Sequence, residues 1–232
     1  MFFRHSPAIW ADYPELVPGV LLASGITGNA DVSAQVARFS AIATSRLATS
    51  AEGELPEVQA WRRTFSKMGL KPTQYRCASE SLLRRFRKEG ALPPLHPLVD
   101  LCNALSIAFA IPIAVFDVAH LAQQLEVRYA TGAESYLTFS GETEHPEPHE
   151  VIFADATQPP AAHARRWTNR QSGLSAVNAT THSVLIVAEA LHATAADDVR
   201  RLISTLATEL AATWPAAPVT AVLSSSAPQF DF

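Results

Sequence analysis

The sequence predicts a single α+β domain, residues 1–232, in which helices pack on a mixed, mainly antiparallel sheet. Three observations predict it. Amphipathic helical repeats fill much of positions 55–109, short alternating apolar runs dominate from Leu125 onward, and no strand-helix-strand repeat, linker or internal duplication divides the chain. A chain of 232 residues can build a core without disulfide staples. Its 48% apolar share includes 40 alanines, which suit close helix packing, and no run approaches the ~20 apolar residues that a bilayer requires.

The elements follow in order. Val17 to Ala23 is β-branched and apolar enough for a first strand, and Gly25 and Gly28 turn it toward an alanine-rich helix that Asp31 caps. Leu55, Val58, Trp61, Phe65 and Met68 recur every three or four residues and predict a helix closed by Gly69. After Pro72 a second helix spans Ser79 to Glu89. Leu82, Leu83 and Phe86 form its inner face, Arg84, Arg85, Arg87 and Lys88 its outer face, and Gly90 stops it. Pro93, Pro94 and Pro97 make a stiff connector to a third helix, marked by Leu98, Leu101, Leu105 and Phe109 and apolar on most sides, hence buried. IAVFDV then reads as a buried strand ending in Asp117, and LEVRYA, SYLTF and HEVIFA as shorter strands. SVLIVAEA has the texture of a central strand, and Leu202, Leu206 and Leu210 define a last helix. A short strand follows at Val219 to Leu223, and the tail SSSAPQFDF reads as loosely held.

Charge is uneven along this chain. The formal net charge is −4, yet Trp61 to Gly90 alone carries +7, which leaves −11 elsewhere. A local excess of that size points to a polyanionic partner, with Arg76, Arg84, Arg85 and Lys88 as candidate phosphate contacts, those of RNA if the resemblance given below holds, or to a solvated helix face. Cys77 and Cys102 belong to no metal-binding spacing and read as free, buried thiols. The opening residues contain no apolar run of seven or more, so no secretory leader is expected and the cytoplasm is the expected compartment. No GxGxxG, GxxxxGK[ST], GxSxG or HExxH occurs, which removes the usual phosphate cradles, nucleophile elbow and zinc helix. His145 and His149 sit four apart in the acidic loop GETEHPEP, but two prolines break any helix that would align them, so the loop reads as a solvated hairpin tip. No metal and no organic cofactor are expected.

Four blocks carry a resemblance: ASESLLRRFRKEGALPPLHPLVDLCNALSIAFAIPIAVFD, VRYATGAESY, EVIFADA and ARRWTNRQSGLSAVNATTHSVLI. In their order and spacing, residues 61–191 resemble the tRNA-editing domain of the bacterial phenylalanyl-tRNA synthetase beta subunit, its B-three and B-four modules, and especially the freestanding relatives of that domain. Residues 1–60 and 192–232 would complete the same domain. The resemblance implies hydrolysis of an amino acid wrongly esterified to tRNA, with Asp100, Asn103, Phe116 and Asp117 at matching positions. The synthetase has a His where this chain has Ala114, and a Gly-Gly-Glu block where it has Gln171, Ser172 and Gly173. The implied substrate is therefore either tyrosine or a smaller or differently polar amino acid. The freestanding relatives share a basic aromatic block, matched by Arg165, Arg166, Trp167, Asn169, Arg170, Gln171 and Ser172.

Hydrolysis of an activated ester needs a positioned water, hydrogen bonds to the developing oxyanion and a side-chain pocket. Candidates for the chemistry are His96, Asp100, Asn103, Asn169, Gln171 and Thr181; candidates for holding substrate are Phe116, Asp117, Arg166, Trp167, Arg170 and Ser172. Each has a structural alternative. Asp100 and Asn103, three apart on one helix face, line a pocket or serve core hydrogen bonds. Asp117 binds substrate or caps the segment after its strand, and His96 is a general base or fixes its loop. Arg166 and Arg170 grip an anion and Trp167 stacks on the terminal adenine, or all three brace the sheet. Thr181 orients water or bonds at a strand edge. The expected partner is a mischarged aminoacyl-tRNA, with no DNA or membrane partner; the alternative is a noncatalytic RNA- or amino-acid-binding module on the same fold.

Overall fold

In the computed structural model, which describes residues 1–232, the first half of the chain forms β1 (Phe2–His5), α1 (Pro7–Asp12), β2 (Val17–Ser24), α2 (Ser33–Thr49), α3 (Pro56–Lys67), α4 (Ala78–Glu89) and α5 (Pro97–Phe109). The second half forms β3 (Ile113–Asp117), β4 (Gln124–Tyr129), β5 (Tyr136–Leu137), β6 (Thr143–Glu144), β7 (Val151–Asp155), β8 (Ala162–Arg165), β9 (Arg170–Gln171), β10 (Ser183–Ala190), α6 (Ala195–Thr213), β11 (Val219–Val222) and β12 (Gln229–Asp231). The α+β class and the mainly antiparallel pairing agree with the sequence reading. The strands, however, divide into two main sheets and a small hairpin instead of one sheet: β12-β1-β4-β7-β8-β9, β11-β2-β10-β3, and β5-β6. Only β1 and β4 run parallel among the paired strands.

The two main sheets stack, and helices cover the far side of the four-stranded one. Alternation along β10 shows how. Val184, Ile186 and Ala188 enter the cluster made with Leu101 and Leu105 of α5 and Leu202 and Leu206 of α6. Leu185 and Val187 enter the other cluster, between the sheets, with Phe3, Phe116, Val127 and Phe153. A strand covered on both faces has no polar side to offer, which is why SVLIVAEA is almost continuously apolar. β2 alternates in the same way, Leu21 and Ala23 toward the helices and Val20 toward the other sheet. Gly19 is where α6 crosses closest: a Cβ there would lie 2.5 Å from Ile203 and 2.6 Å from Val199.

The helices form where the periodicity places them. Pro56 and Pro97 open α3 and α5 at positions that need no N–H donor, and Gly90 ends α4 in the left-handed conformation at φ 78°. Asp31 accepts from the Ser33 backbone N–H at 2.9 Å and so serves the start of α2. Both cysteines are free and buried, and burial pushes the thiol pKa values up to about 11 for Cys77 and about 12 for Cys102, which leaves them protonated and unreactive. No helix is long and apolar enough to cross a membrane.

Two expectations need correction. The tail is not loose: β12 pairs antiparallel with β1, and Phe230 is buried between the sheets. The acidic loop is more than a solvated tip, because Glu144 and Glu150 reach Arg165, buried in β8, at 2.6 and 2.9 Å.

Gly19→Ala should destabilise the fold by about 1–3 kcal/mol, because the added methyl has to displace α6 side chains packed in a full core. Urea unfolding monitored by circular dichroism measures this, and an unchanged midpoint would show that α6 can yield.

Candidate functional site

Two adjoining cavities gather four of the six residues that the sequence offers for the chemistry, His96, Asn103, Asn169 and Gln171. The larger, about 520 Å³, is walled by His96, Val99 and Asn103 of the α5 end, Ile113 and Val115 of β3, Gln171 of β9 and the 176–179 loop. That volume lies within the range of small-molecule sites. The smaller, about 60 Å³, is a slot between β3 and the 164–171 segment that also reaches Glu189 of β10. Ile113 and Gln171 belong to both walls.

Local geometry dictates what each wall can offer. His96 is the N-cap of α5, and its Nδ1 accepts from the Leu98 N–H at 3.2 Å. An accepting Nδ1 requires the proton of the neutral ring on Nε2, and Nε2 is buried without a partner beside Gly28. Burial lowers the His96 pKa below its usual value, with the Asp100 carboxylate opposing it, so the ring is neutral at pH 7 and presents an N–H donor. In this tautomer His96 is no general base. The Asn103 amide makes no hydrogen bond within the protein and faces the cavity. Gln171 donates its amide to the Val115 carbonyl at 2.5 Å, and Asn169, on the slot, donates to the Arg76 carbonyl at 2.7 Å. His96, Asn103 and Gln171 thus meet in one cavity although 75 residues separate the first and last.

Other candidates lie elsewhere. Asp100 accepts from the Leu95 N–H at 2.9 Å and borders a neighbouring cavity of about 530 Å³ between α2 and α5, which Asn103 also touches. Thr181 donates to Asp117 Oδ2 at 2.7 Å, while Asp117 Oδ1 accepts from the Ala119 N–H, so the two fasten the end of β3; Thr181 also borders a separate open pocket beside residues 26–29. Phe116 lies in the core between the sheets, which corrects the expectation that it touches substrate. Ser172 is likewise spent on structure, its hydroxyl donating to the Leu137 carbonyl at 2.9 Å and accepting from Leu174.

Trp167 is 0% exposed, with its indole N–H on Glu189 Oε1 at 3.0 Å and its ring edge-to-face with Trp61 and Tyr13. It has no free face for an adenine, so the expected stacking role is corrected. Arg170 is held by Glu144 at 3.1 Å, which makes it a brace in this structure, and Arg166 lies over the Tyr75 ring at 4.8 Å.

The basic segment is also partly spent. Buried Glu80 takes Arg62 at 2.7 Å and Arg76 at 3.3 Å, and buried Glu52 takes Arg84 at 3.0 Å and Arg87 at 2.9 Å. Arg76 is therefore drawn inward and is corrected as an RNA contact. Arg84, Arg85 and Lys88 keep exposed positions on α4, with Arg85 in an exposed pair with Glu89.

Sequence reasoning missed several groups. Glu189 and His5 meet at 2.6 Å, both almost fully buried, and no short-range signal links positions 184 apart. Ser175, His163 and Asp155 form a linked chain at 2.8 and 3.2 Å, but serine meets Nδ1 and aspartate Nε2, the reverse of a hydrolytic triad, and all three are buried and line neither cavity. Leu95 and Phe139, 71% and 75% exposed, stand on the wall of the larger cavity as exposed apolar groups. Phe139 is positioned by the β5-β6 hairpin, against which Gly173 packs so closely that a Cβ would lie 3.1 Å from the Thr138 carbonyl. Glu57, His192 and Asp198 bring ligand atoms within 4.8 Å of one another, but Arg46 already neutralises Glu57 and Arg201 neutralises Asp198.

Glu134 anchors the turn that leads into this hairpin. Burial alone would raise its pKa, but the Arg128 guanidinium at 2.6 Å and the Thr131 backbone N–H outweigh it and hold the group at about 2. A carboxylate depressed from an unfolded value of about 4.3 stabilises above that value and loses its contribution as pH falls toward 2. Glu134→Gln should therefore lower stability at pH 7 and flatten the acid limb below about pH 4.3 in urea-midpoint measurements. An acid limb of unchanged steepness would contradict this.

Comparison with known proteins places this geometry in context. A family model described as the B3/4 domain matches residues 60–211, more than half of the chain. The phenylalanine–tRNA ligase beta subunit of Cereibacter sphaeroides is 36% identical over 78 residues, covering 34% of this chain and 10% of its own. The same subunit of Mannheimia succiniciproducens is 33% identical over 94 residues, covering 40% of this chain and 11% of its own. The matched stretch thus spans about a tenth of the length of these curated relatives. Among solved structures, an N-terminal fragment of the phenylalanyl-tRNA synthetase beta-subunit from Pyrococcus horikoshii aligns with a TM-score of 0.49 at 9% identity, covering 93% of this chain and 49% of that one.

Proposed function

This chain belongs to the B3/4 domain family, and from that premise we propose that it is a trans-editing deacylase that hydrolyses the ester of a mischarged aminoacyl-tRNA. The observation that carries this reading is the pair of cavities sharing Ile113 and Gln171: one has room for a nucleoside, and the other admits only a small group. The tRNA's terminal adenosine enters the larger cavity, where exposed Phe139 supplies the stacking face that buried Trp167 lacks. The ester then lies near Gln171, with the Asn103 amide and His96 on the same cavity wall as its donors.

Water adds to the ester carbonyl carbon, the donors stabilise the negative charge that develops on the carbonyl oxygen, and the ester C–O bond breaks. Of the two protons of the water, one goes to the departing ribose oxygen and the other to solvent, so the amino acid leaves as its carboxylate. Because the ester is activated, this needs alignment and oxyanion stabilisation more than a protein nucleophile. Arg84, Arg85 and Lys88 of α4 attract the acceptor stem.

The test is a panel of tRNAs charged with matched and mismatched amino acids, followed for ester loss. A limited set of mischarged tRNAs should be deacylated. Asn103→Ala should lower kcat by about 10²-fold, as for other lost oxyanion donors. Phe139→Ala should raise KM by roughly 5–100-fold, the equivalent of one lost stacking contact, with kcat little changed.

One observation favours a second reading, a noncatalytic RNA- or amino-acid-binding module: Ala114 stands where the related synthetase has a His. Inactivity across the whole panel with salt-sensitive tRNA binding retained would establish that reading instead. In either case Arg84→Glu with Arg85→Glu should weaken tRNA binding and reduce its salt dependence; unchanged affinity in a filter-binding titration removes α4 from the interface.

A further inference from the structure

We propose that Glu189, Asn169 and Gln171 form an acceptor triad for a primary ammonium, so that the small slot takes the amino end of an aminoacyl ligand. This rests on the reading of the adjoining cavity given above. Glu189 is 2% exposed, and both donors to its side chain, His5 Nε2 at 2.6 Å and Trp167 Nε1 at 3.0 Å, address Oε1. Neither bond uses Oε2. The third indole nearby, from Trp61, donates to the Glu189 backbone carbonyl at 3.2 Å.

His5 meets Oε1 through Nε2 alone, and its Nδ1 is buried without a partner. Arg170, the one other ionic side chain on the slot, is held by Glu144 at 3.1 and 3.3 Å. A buried carboxylate with donors but no cation is costly, and a cationic ligand removes that cost.

The two amides sharpen the ligand class. Asn169 and Gln171 each direct their NH₂ group to a backbone carbonyl, of Arg76 and Val115 respectively, which fixes their orientation and leaves Oδ1 and Oε1 as acceptors. The slot therefore presents a carboxylate and two amide oxygens, with one N–H of each amide already committed to a backbone carbonyl. A primary ammonium, with three N–H donors and one positive charge, matches that set. At about 60 Å³ the slot has little room for an acyl group on the nitrogen. Ala114, on the opposite wall, is where a larger residue would close it.

The test uses a non-hydrolysable 3′-(L-alanylamino)-3′-deoxyadenosine, its N-acetyl counterpart, and L-alaninamide, each titrated by calorimetry and by the fluorescence of Trp61 and Trp167. The wild-type protein should bind the free amine about tenfold or more tighter than the N-acetyl compound, in line with one charge-assisted hydrogen bond. Glu189→Gln should abolish that preference, and so should Ala114→Leu, which fills the slot while keeping the Glu189 carboxylate and covers the case in which Glu189→Gln does not fold. Equal binding of the two adenosine compounds by the wild type, or a preference that survives both substitutions, would overturn the proposal. If the adenosine compounds fail to bind but L-alaninamide binds and both substitutions abolish it, the slot stands and the tRNA reading falls. If L-alaninamide fails as well, both fall.

Discussion

Strand β10 has to be covered on both faces, because its side chains are apolar in both directions and water on either side would expose a full row of them. The rest of the architecture answers that requirement. α5 and α6 cover one face, and the six-stranded sheet covers the other. Burying β10 centrally also fixes what its C-terminal end can do. Glu189 emerges where the two sheets and α3 converge, so its carboxylate is surrounded by Trp61, Trp167 and His5, not by solvent. A charged group at that point is held by oriented N–H donors, and the same packing that isolates it creates the slot beside it.

A similar logic runs through the basic segment. Its sequence charge of +7 is a sum over side chains, whereas an approaching polyanion meets the field that remains after pairing. Glu80 and Glu52 are buried and draw four arginines toward the protein, so much of the excess is spent on joining α3, α4 and the turn at 52–54. The exposed basic side chains left outside these pairs, and outside that of Arg85 with Glu89, are Arg63 and Lys67 of α3, Lys71 after it and Lys88 of α4.

Much of this was legible in the chain. The helices α3, α4 and α5 were marked by three- and four-residue spacing with Pro and Gly punctuation, and β2, β3, β7 and β10 by β-branched apolar runs. β1, β8, β9 and β12 were not legible, because strands of two to four residues carry almost no periodicity and exist only through partners far away, as β1 does between β4 and β12. Of the site, His96, Asn103, Asn169 and Gln171 were singled out and do line the two cavities. Phe116, Trp167 and Ser172 were singled out as well, yet they are core or brace residues, because a residue type in a matching block says nothing about which way its side chain is turned.

The sequence alone determined the class of the fold, the positions of the longer elements, the inertness of the cysteines and the blocks that supply polar residues to the two cavities. Each of these depends on local chemistry: side-chain period, turn residues, and the spacing between residues close in the chain. Tertiary structure decided the rest: the division of the strands into two sheets, the neutral donor state of His96, the exposure of Phe139 in place of Trp167, and the meeting of His5 with Glu189 across 184 positions. Those depend on which surfaces exclude water from which groups, a property of packing that does not exist until the chain has closed on itself.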